Sequence, residues 1–145
     1  MRIKLLTYLE EKNNLYLNSS VLLKTPHKKV VTKFILDTGS PETIINYTDA
    51  LRLNIPLNNL TESKIIRVGS RKYHGYFYDR LSMTFITTDK KQIEEKMRII
   101  IVRPTSFKDI EEIDMLPTLL GMNFLKEKGY KLFCDFSKDE AYLEK

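Results

Sequence analysis

Phe34-Ile35-Leu36-Asp37-Thr38-Gly39-Ser40 is the stretch on which the fold of this 145-residue chain turns. Val30, Val31, Phe34, Ile35 and Leu36 form an apolar run of strand length, and an acidic tetrapeptide follows at once. The arrangement suits a carboxylate presented at the end of a buried strand. Amide hydrolysis without a metal or covalent nucleophile can use two carboxyl groups sharing one proton, one activating water while the other polarises the carbonyl. Bringing two carboxyls that close needs a tight turn with no Cβ in the way, which Gly39 supplies, and the Thr38 hydroxyl can tie such a turn down. Like charges at that separation cannot both ionise, so the pair titrates as a unit. Asp-Thr-Gly occurs once here, so the second carboxylate has to come from elsewhere.

Outward from this stretch, a second motif stands toward the C-terminus: Leu119-Leu120-Gly121-Met122-Asn123-Phe124-Leu125 reads as two apolar residues and a glycine opening a short helix. Together, in this order and at this separation, the two motifs resemble the retropepsin-like aspartic proteases. The resemblance spans roughly residues 15–143, with its sharp part confined to the two motifs. It implies a mainly β fold, a closed, orthogonal β-barrel with one or two short helices, working as a homodimer. It also implies Asp37 as the catalytic dyad member, Thr38 as the residue interlocking two active-site loops, and Gly39 and Ser40 as shapers of the loop. No cofactor and no metal are implied.

Between the motifs, residues 64–68 and 72–78 read as two strands around a turn, where the family keeps its substrate-covering flap; locally an ordinary surface hairpin would look the same. The resemblance assigns Val68, Gly69 and Ser70 to the flap and Pro117, Thr118 and Leu119 to the pocket wall. Gly75 is read as a bend near the ligand. Two departures stand out. Viral members place an acidic residue at the position of Pro41 and a paired arginine at that of Met122, and this chain has neither, which is consistent because losing both leaves no stranded charge. Residues 104–115 are longer than in compact members and carry Asp109, Glu111, Glu112 and Asp114, which predicts an acidic border to the cleft favouring basic substrate side chains.

At 145 residues and 42% hydrophobic content the chain suits one domain, residues 1–145, and is too short for two catalytic lobes. Asp135 follows Leu132-Phe133-Cys134 but lacks the glycine, so it supplies no second loop. The expected partner is therefore a second copy, each contributing Asp37 on a two-fold axis, with N- and C-terminal strands pairing between subunits and a peptide or protein as substrate. A noncatalytic dimer of the same fold, binding peptides or scaffolding an assembly, is the alternative. Strands are expected at 3–9, 15–23, 30–36, 43–46, 64–68, 72–78, 81–87, 97–102 and 130–135, with helices at 48–53 and 122–128 and turns at 13–14 and 88–91.

No apolar stretch is long enough to span a membrane and residues 3–9 are too short for a signal sequence, so the expectation is a soluble, cytoplasmic protein. Cys134 is the sole cysteine and reads as core. His27 and His74 lack the spacing of a metal pair, and His74 reads as a solvated loop residue. A net charge of +5, with Lys24, Lys28, Lys29 and Lys33 clustered and Arg67, Arg71, Lys72 and Arg80 flanking Tyr73, Tyr76 and Phe77, suggests nucleic acid. The interspersed acids, as in Lys90-Lys91-Gln92-Ile93-Glu94-Glu95-Lys96, favour a solvated face of mixed sign instead.

Overall fold

The computed structural model describes residues 1–9, 15–68, 71–105 and 116–145. Eleven strands and two short helices are present among these: β1 (Arg2–Lys4), β2 (Leu6–Leu9), β3 (Leu15–Lys24), β4 (Lys29–Leu36), β5 (Ile44–Ile45), α1 (Tyr47–Arg52), β6 (Glu62–Val68), β7 (Arg71–Ile86), β8 (Gln92–Pro104), β9 (Thr118–Leu120), α2 (Met122–Lys128), β10 (Lys131–Asp135) and β11 (Glu140–Glu144). The protein is mainly β, as expected. One sheet runs β2-β3-β4-β9-β5-β8-β7-β6, and β3 also pairs with β7 so that the sheet returns on itself; β1-β11-β10 form a second sheet.

The two sequence motifs are neighbours in the sheet. Parallel pairing of β4 with β9 sets Ile35 against Leu119 and Leu36 against Leu120, and β5 closes on the other edge of β9 through Ile44 and Leu119. Parallel strands must come from distant chain segments, which is why an apolar pair near residue 119 belongs with an apolar run near residue 35. Phe34, Leu36, Leu120 and Phe124 enter the main core with Phe85, whose ring lies 5.4 Å from that of Phe124. A smaller apolar cluster of Ile44, Tyr73, Ile100, Val102, Leu116 and Leu119 lies under the hairpin, with Ile66 packed against it.

Several boundaries differ from the sequence reading. Residues 72–78 and 81–87 form one long strand with a register shift between Tyr78 and Leu81, where Arg80 takes φ +61°. That is a bulge within a strand, and no turn interrupts it. His74 consequently sits in β7, paired with Ile65 and Arg103, and is half-buried rather than in a loop. β9 and β11 were not expected. The turn at 13–14 lies outside the described residues.

The two termini meet in the second sheet. Asp135 Oδ1 accepts bonds from the Ser137 amide and hydroxyl at 3.1 and 2.6 Å, capping a 3-10 turn that sends β11 back along β10. β11 then offers its free edge to β1 of the same chain, Arg2 opposite Glu144 and Lys4 opposite Tyr142. The N- and C-terminal strands thus pair within one chain. β10 is one of the two outer strands of that sheet, the other being β1, and carries Phe133, exposed and stacked on Tyr142 at 4.7 Å.

Candidate active site

β4 ends at Leu36, and the chain turns as soon as the strand runs out. The Asp37 amide donates to Leu120 O at 3.1 Å, continuing the β4–β9 ladder by one rung, and the Ser40 amide returns to Asp37 O at 3.1 Å. Within this turn the Gly39 amide donates to Asp37 Oδ1 at 2.9 Å, which fixes one carboxylate oxygen. A Cβ at Gly39 would lie 3.2 Å from that same oxygen, so glycine keeps the approach open. Asp37 is half-buried, and Thr38 and Gly39 are exposed. Ser40 is buried, its hydroxyl donating to Glu42 O at 2.7 Å.

The start of α2 locks against this loop. Met122 and Asn123 amides donate to Ser40 O and Pro41 O at 2.8 and 3.1 Å. The Thr43 hydroxyl donates to Asn123 Oδ1 at 2.8 Å and accepts from the Gly121 amide at 3.1 Å. The Asn123 Nδ2 amide donates to Glu42 Oε2 at 3.1 Å. Sequence reading missed Glu42, Thr43 and Asn123. The available signal was the apolar pair at Pro41 and Met122, which demanded some other polar link between the same two segments.

Beside the loop lies a cleft of about 420 Å³, lined by Asp37, Glu42, Ile44, Lys64, Ile66 and Leu119 among others. Its apolar side is the small core cluster, and its far side is β6 of the hairpin. Lys64 Nζ reaches Glu42 Oε1 at 3.5 Å, joining hairpin to loop. A Cβ at Gly75 would fall 2.7 Å from Ile66 Cδ1, so the glycine makes room for the side chain that faces the cleft, and the β6–β7 register shifts opposite it, between Glu62 and Lys64.

Of the residues singled out from sequence, Asp37, Gly39, Ser40 and Leu119 come together around this cleft. Val68 pairs with Arg71 at the end of the hairpin, while Gly69 and Ser70 lie outside the described residues. Pro117 is half-buried. Thr118 turns inward and is buried, donating its hydroxyl to Asp49 Oδ2 at 2.8 Å. Acidic residues 109–114 fall outside the described residues, as does the border they were expected to form.

Among the described residues, the other well-shielded carboxylates have their own structural partners. Asp49, buried in α1, accepts from Thr32 Oγ1 at 2.7 Å, from Thr118 and from Arg52 at 2.8 Å. Glu95 accepts from the Tyr130 hydroxyl and Lys145 Nζ, both at 2.9 Å. Burial and that bond to Glu95 hold the Tyr130 phenol well above its ordinary pKa. Asp135 is held below its ordinary value, first by the Ser137 hydroxyl bond, and serves as a turn cap. Cys134 is half-buried, and desolvation with the neighbouring Asp135 raises its thiol pKa, which lowers its nucleophilicity at neutral pH. Among the described residues no group of three His, Cys, Asp or Glu is placed to hold a metal ion. In the described part of one chain, then, Asp37 faces the cleft with Glu42 as the other acidic lining residue, and Glu42 is engaged by Asn123 and Lys64.

The chain is similar to a solved retropepsin-like aspartic protease from Rickettsia conorii, at 16% identity, with a TM-score of 0.58 over 99% of this chain and 88% of that one. The fold is retropepsin-like. A retroviral protease-like domain from Leishmania major also matches, at 13% identity and a TM-score of 0.48, with 87% of each chain covered. No protein-family model matches the chain, and no curated protein matches it in sequence. The retropepsin-like fold is therefore legible in the backbone at an identity where whole-sequence comparison has lost it. No helix among the described residues is long and apolar enough to cross a membrane.

Proposed function

We propose that this protein is an aspartic endopeptidase that acts as a homodimer on peptide or protein substrates. The observation that carries the reading is Asp37 itself, held on a tight loop by the Gly39 amide and opening onto a cleft with an apolar wall. A lone carboxylate cannot act as both base and acid in one hydrolysis. Asp37 of the partner subunit supplies the second, on an isologous two-fold axis. One carboxylate takes a proton from the attacking water while the other protonates the carbonyl oxygen, and the proton passes back as the amide breaks. The exposure of Thr38 beside Asp37 supports its meeting its counterpart in such a dimer. The outer edge of β10, carrying Phe133, is open to extension by a second copy, and no terminal exchange is required for it.

Substrate would lie extended under the β6–β7 hairpin as flap, its backbone bonding in strand fashion and alternate side chains entering the cleft. A cytoplasmic setting goes with the reading, since Cys134 alone provides no intrachain disulfide to maintain. Nucleic acid is not part of it. Lys24 of the basic cluster pairs with Glu94, and Lys64 and Arg98 pair with Glu42 and Asp79, which supports a face of mixed sign at these positions.

The test compares the protein with Asp37→Asn on a denatured peptide mixture from acidic to neutral pH, alongside sedimentation of both. Cleavage with a bell-shaped pH profile that vanishes in the variant, and that falls on dilution as the dimer dissociates, is the expected result. Equal cleavage by both proteins removes the dyad. Peptide binding without cleavage at any pH identifies the noncatalytic module.

A further inference from the structure

We propose that the face of the large sheet turned away from the main core, where β4, β3, β7 and β8 lie side by side, is a docking surface for an acidic segment of a partner protein with apolar residues between its carboxylates. None of the residues that form this face lines the cleft, so the inference goes beyond the peptide-cleft reading.

Strand registers set out the surface row by row, because residues directly opposite in neighbouring strands share a face. One row holds Lys29, Lys24, Ser82 and Lys96, and the next Val31, Leu22, Thr84 and Glu94. Lys33 on β4 and Ile86 on β7 follow on the same face. The alternate residues Val30, Leu23 and Met83 pack into the main core.

Three features of this face lack an explanation within one chain. Lys24 and Lys29 stand directly opposite each other, where like charges destabilise a sheet. Glu94 is the one acid in the two rows, 3.1 Å from Lys24 and 3.4 Å from Lys96, while Lys29 and Lys33 make no ion pair among the described residues. Thr84 is 4% exposed, and its hydroxyl has no hydrogen-bond partner among the described residues. Lysines often protect an edge strand, and residues 29–33 of β4 pair with β3 alone. Edge protection does not account for Val31, 60% exposed between Lys29 and Lys33, nor for Lys24 and Lys96 on inner strands.

An acidic segment with apolar spacing answers all three. Carboxylates about 13 Å apart match Lys29 and Lys33 along β4, and an apolar side chain midway between them covers Val31 and Leu22. When further carboxylates take Lys24 and Lys96, Glu94 is released to accept from Thr84, directly opposite it at cross-strand spacing. The two rows carry no aromatic ring on which a nucleic-acid base could stack, which favours a protein partner.

The experiment uses the full chain carrying Asp37→Asn, so that the probe stays intact, and a fluorescent peptide repeating Glu-Ser-Val-Ser beside its glutamine counterpart. The acidic peptide should bind at least about tenfold more tightly than the glutamine one. Lys29→Glu with Lys33→Glu, both exposed positions, should weaken it about tenfold or more. Lys126→Glu with Lys131→Glu makes the same change in net charge at exposed positions elsewhere and should alter binding less than about twofold. Glu94→Gln frees Lys24 and Lys96 and should tighten binding about threefold, while Val31→Ser should weaken it about threefold. Circular dichroism of each variant checks that the fold is kept. No binding of the acidic peptide, no loss in the Lys29 and Lys33 variant, an equal loss in the Lys126 and Lys131 variant, or weakening in Glu94→Gln overturns the assignment. Tighter binding of a single-stranded oligonucleotide or of phosphatidylserine vesicles than of the peptide, at the same salt, overturns it in favour of nucleic acid or a membrane.

Discussion

Gly121→Ala should be among the most damaging single-methyl additions available to this protein. Gly121 sits at φ −89° and ψ 178°, extended backbone open to any residue, so the cost is steric alone. An added Cβ would lie 2.2 Å from Glu42 O, 2.3 Å from Glu42 C and 2.9 Å from Thr43 N. All three are backbone atoms, and relief requires the loop and the start of α2 to separate by roughly 1 Å. That separation is opposed by the bond from the Gly121 amide to the Thr43 hydroxyl and by those from Met122 and Asn123 to Ser40 O and Pro41 O. Overpacking costs about 1–3 kcal/mol, and each bond lost adds about 1 kcal/mol, which puts the total near 3–4 kcal/mol. Urea unfolding followed by circular dichroism would show it as a lower midpoint at unchanged slope. Gly129→Ala is the matched control. Gly129 closes α2 at φ +72° with nothing within 4 Å of an added Cβ, so it should lose only the conformational cost of about 1–2 kcal/mol. A loss below about 0.5 kcal/mol in Gly121→Ala, or a larger one in Gly129→Ala, would refute the steric reasoning.

Asp49→Ala should cost about 3 kcal/mol in the same measurement, because it leaves the Thr32 and buried Thr118 hydroxyls without their acceptor. At alkaline pH the raised phenol of Tyr130 matters: the unfolded chain ionises near pH ~10 while the folded one holds its proton, so stability falls as pH rises above that value. Tyr130→Phe should lower stability at pH 7 yet flatten this alkaline fall, read from midpoints between pH 8 and pH 11. At acid pH the sign reverses, because Glu144 beside Arg2, Glu94 beside Lys24 and Asp89 beside Thr87 all have lowered pKa values. Their contribution is complete above the ordinary carboxylate range and is lost as pH falls below about 4, with Arg2→Gln and Lys24→Gln each shallowing the acid limb.

Sequence reading placed the elements around the candidate site where periodicity and turn chemistry are local. Residues 30–36 alternate around a strand axis, Asp37 to Ser40 form the turn that follows, and 122–128 end at a glycine that takes the left-handed cap. It failed where structure is made by distant partners. β9 is three residues long, too short to show a period, and exists because β4 and β5 hold it from both sides. β11 depends on the reversal at Asp135, a side-chain bond to a backbone amide that apolar patterning does not encode. Asp49 is the clearest miss, a carboxylate in a six-residue helix that looks solvated until β4 and β9 bring Thr32 and Thr118 to it. Its one local trace is Asn46, three residues earlier, whose side chain caps the Asp49 amide at 2.8 Å.

The apolar pair at Pro41 and Met122 acquires a physical meaning from what stands one residue further along each segment. An acid and an arginine joining the two segments would satisfy each other, leaving the link polar but electrically closed. In this chain the link is Glu42 to Asn123, a carboxylate held by a neutral amide, and Thr43 completes it from beneath. Geometry is secured equally well, since the backbone contacts from Met122 and Asn123 do not depend on the side-chain charges. The charge balance is different. With no arginine to absorb it, the negative charge of Glu42 is directed into the cleft, where Lys64 answers it at 3.5 Å across the gap between loop and hairpin. Exchanging a closed ion pair for an open one keeps the loop in place and ties it to the hairpin through Lys64. Support of the Asp37 loop from α2 and its link to the hairpin are thereby joined in one side chain.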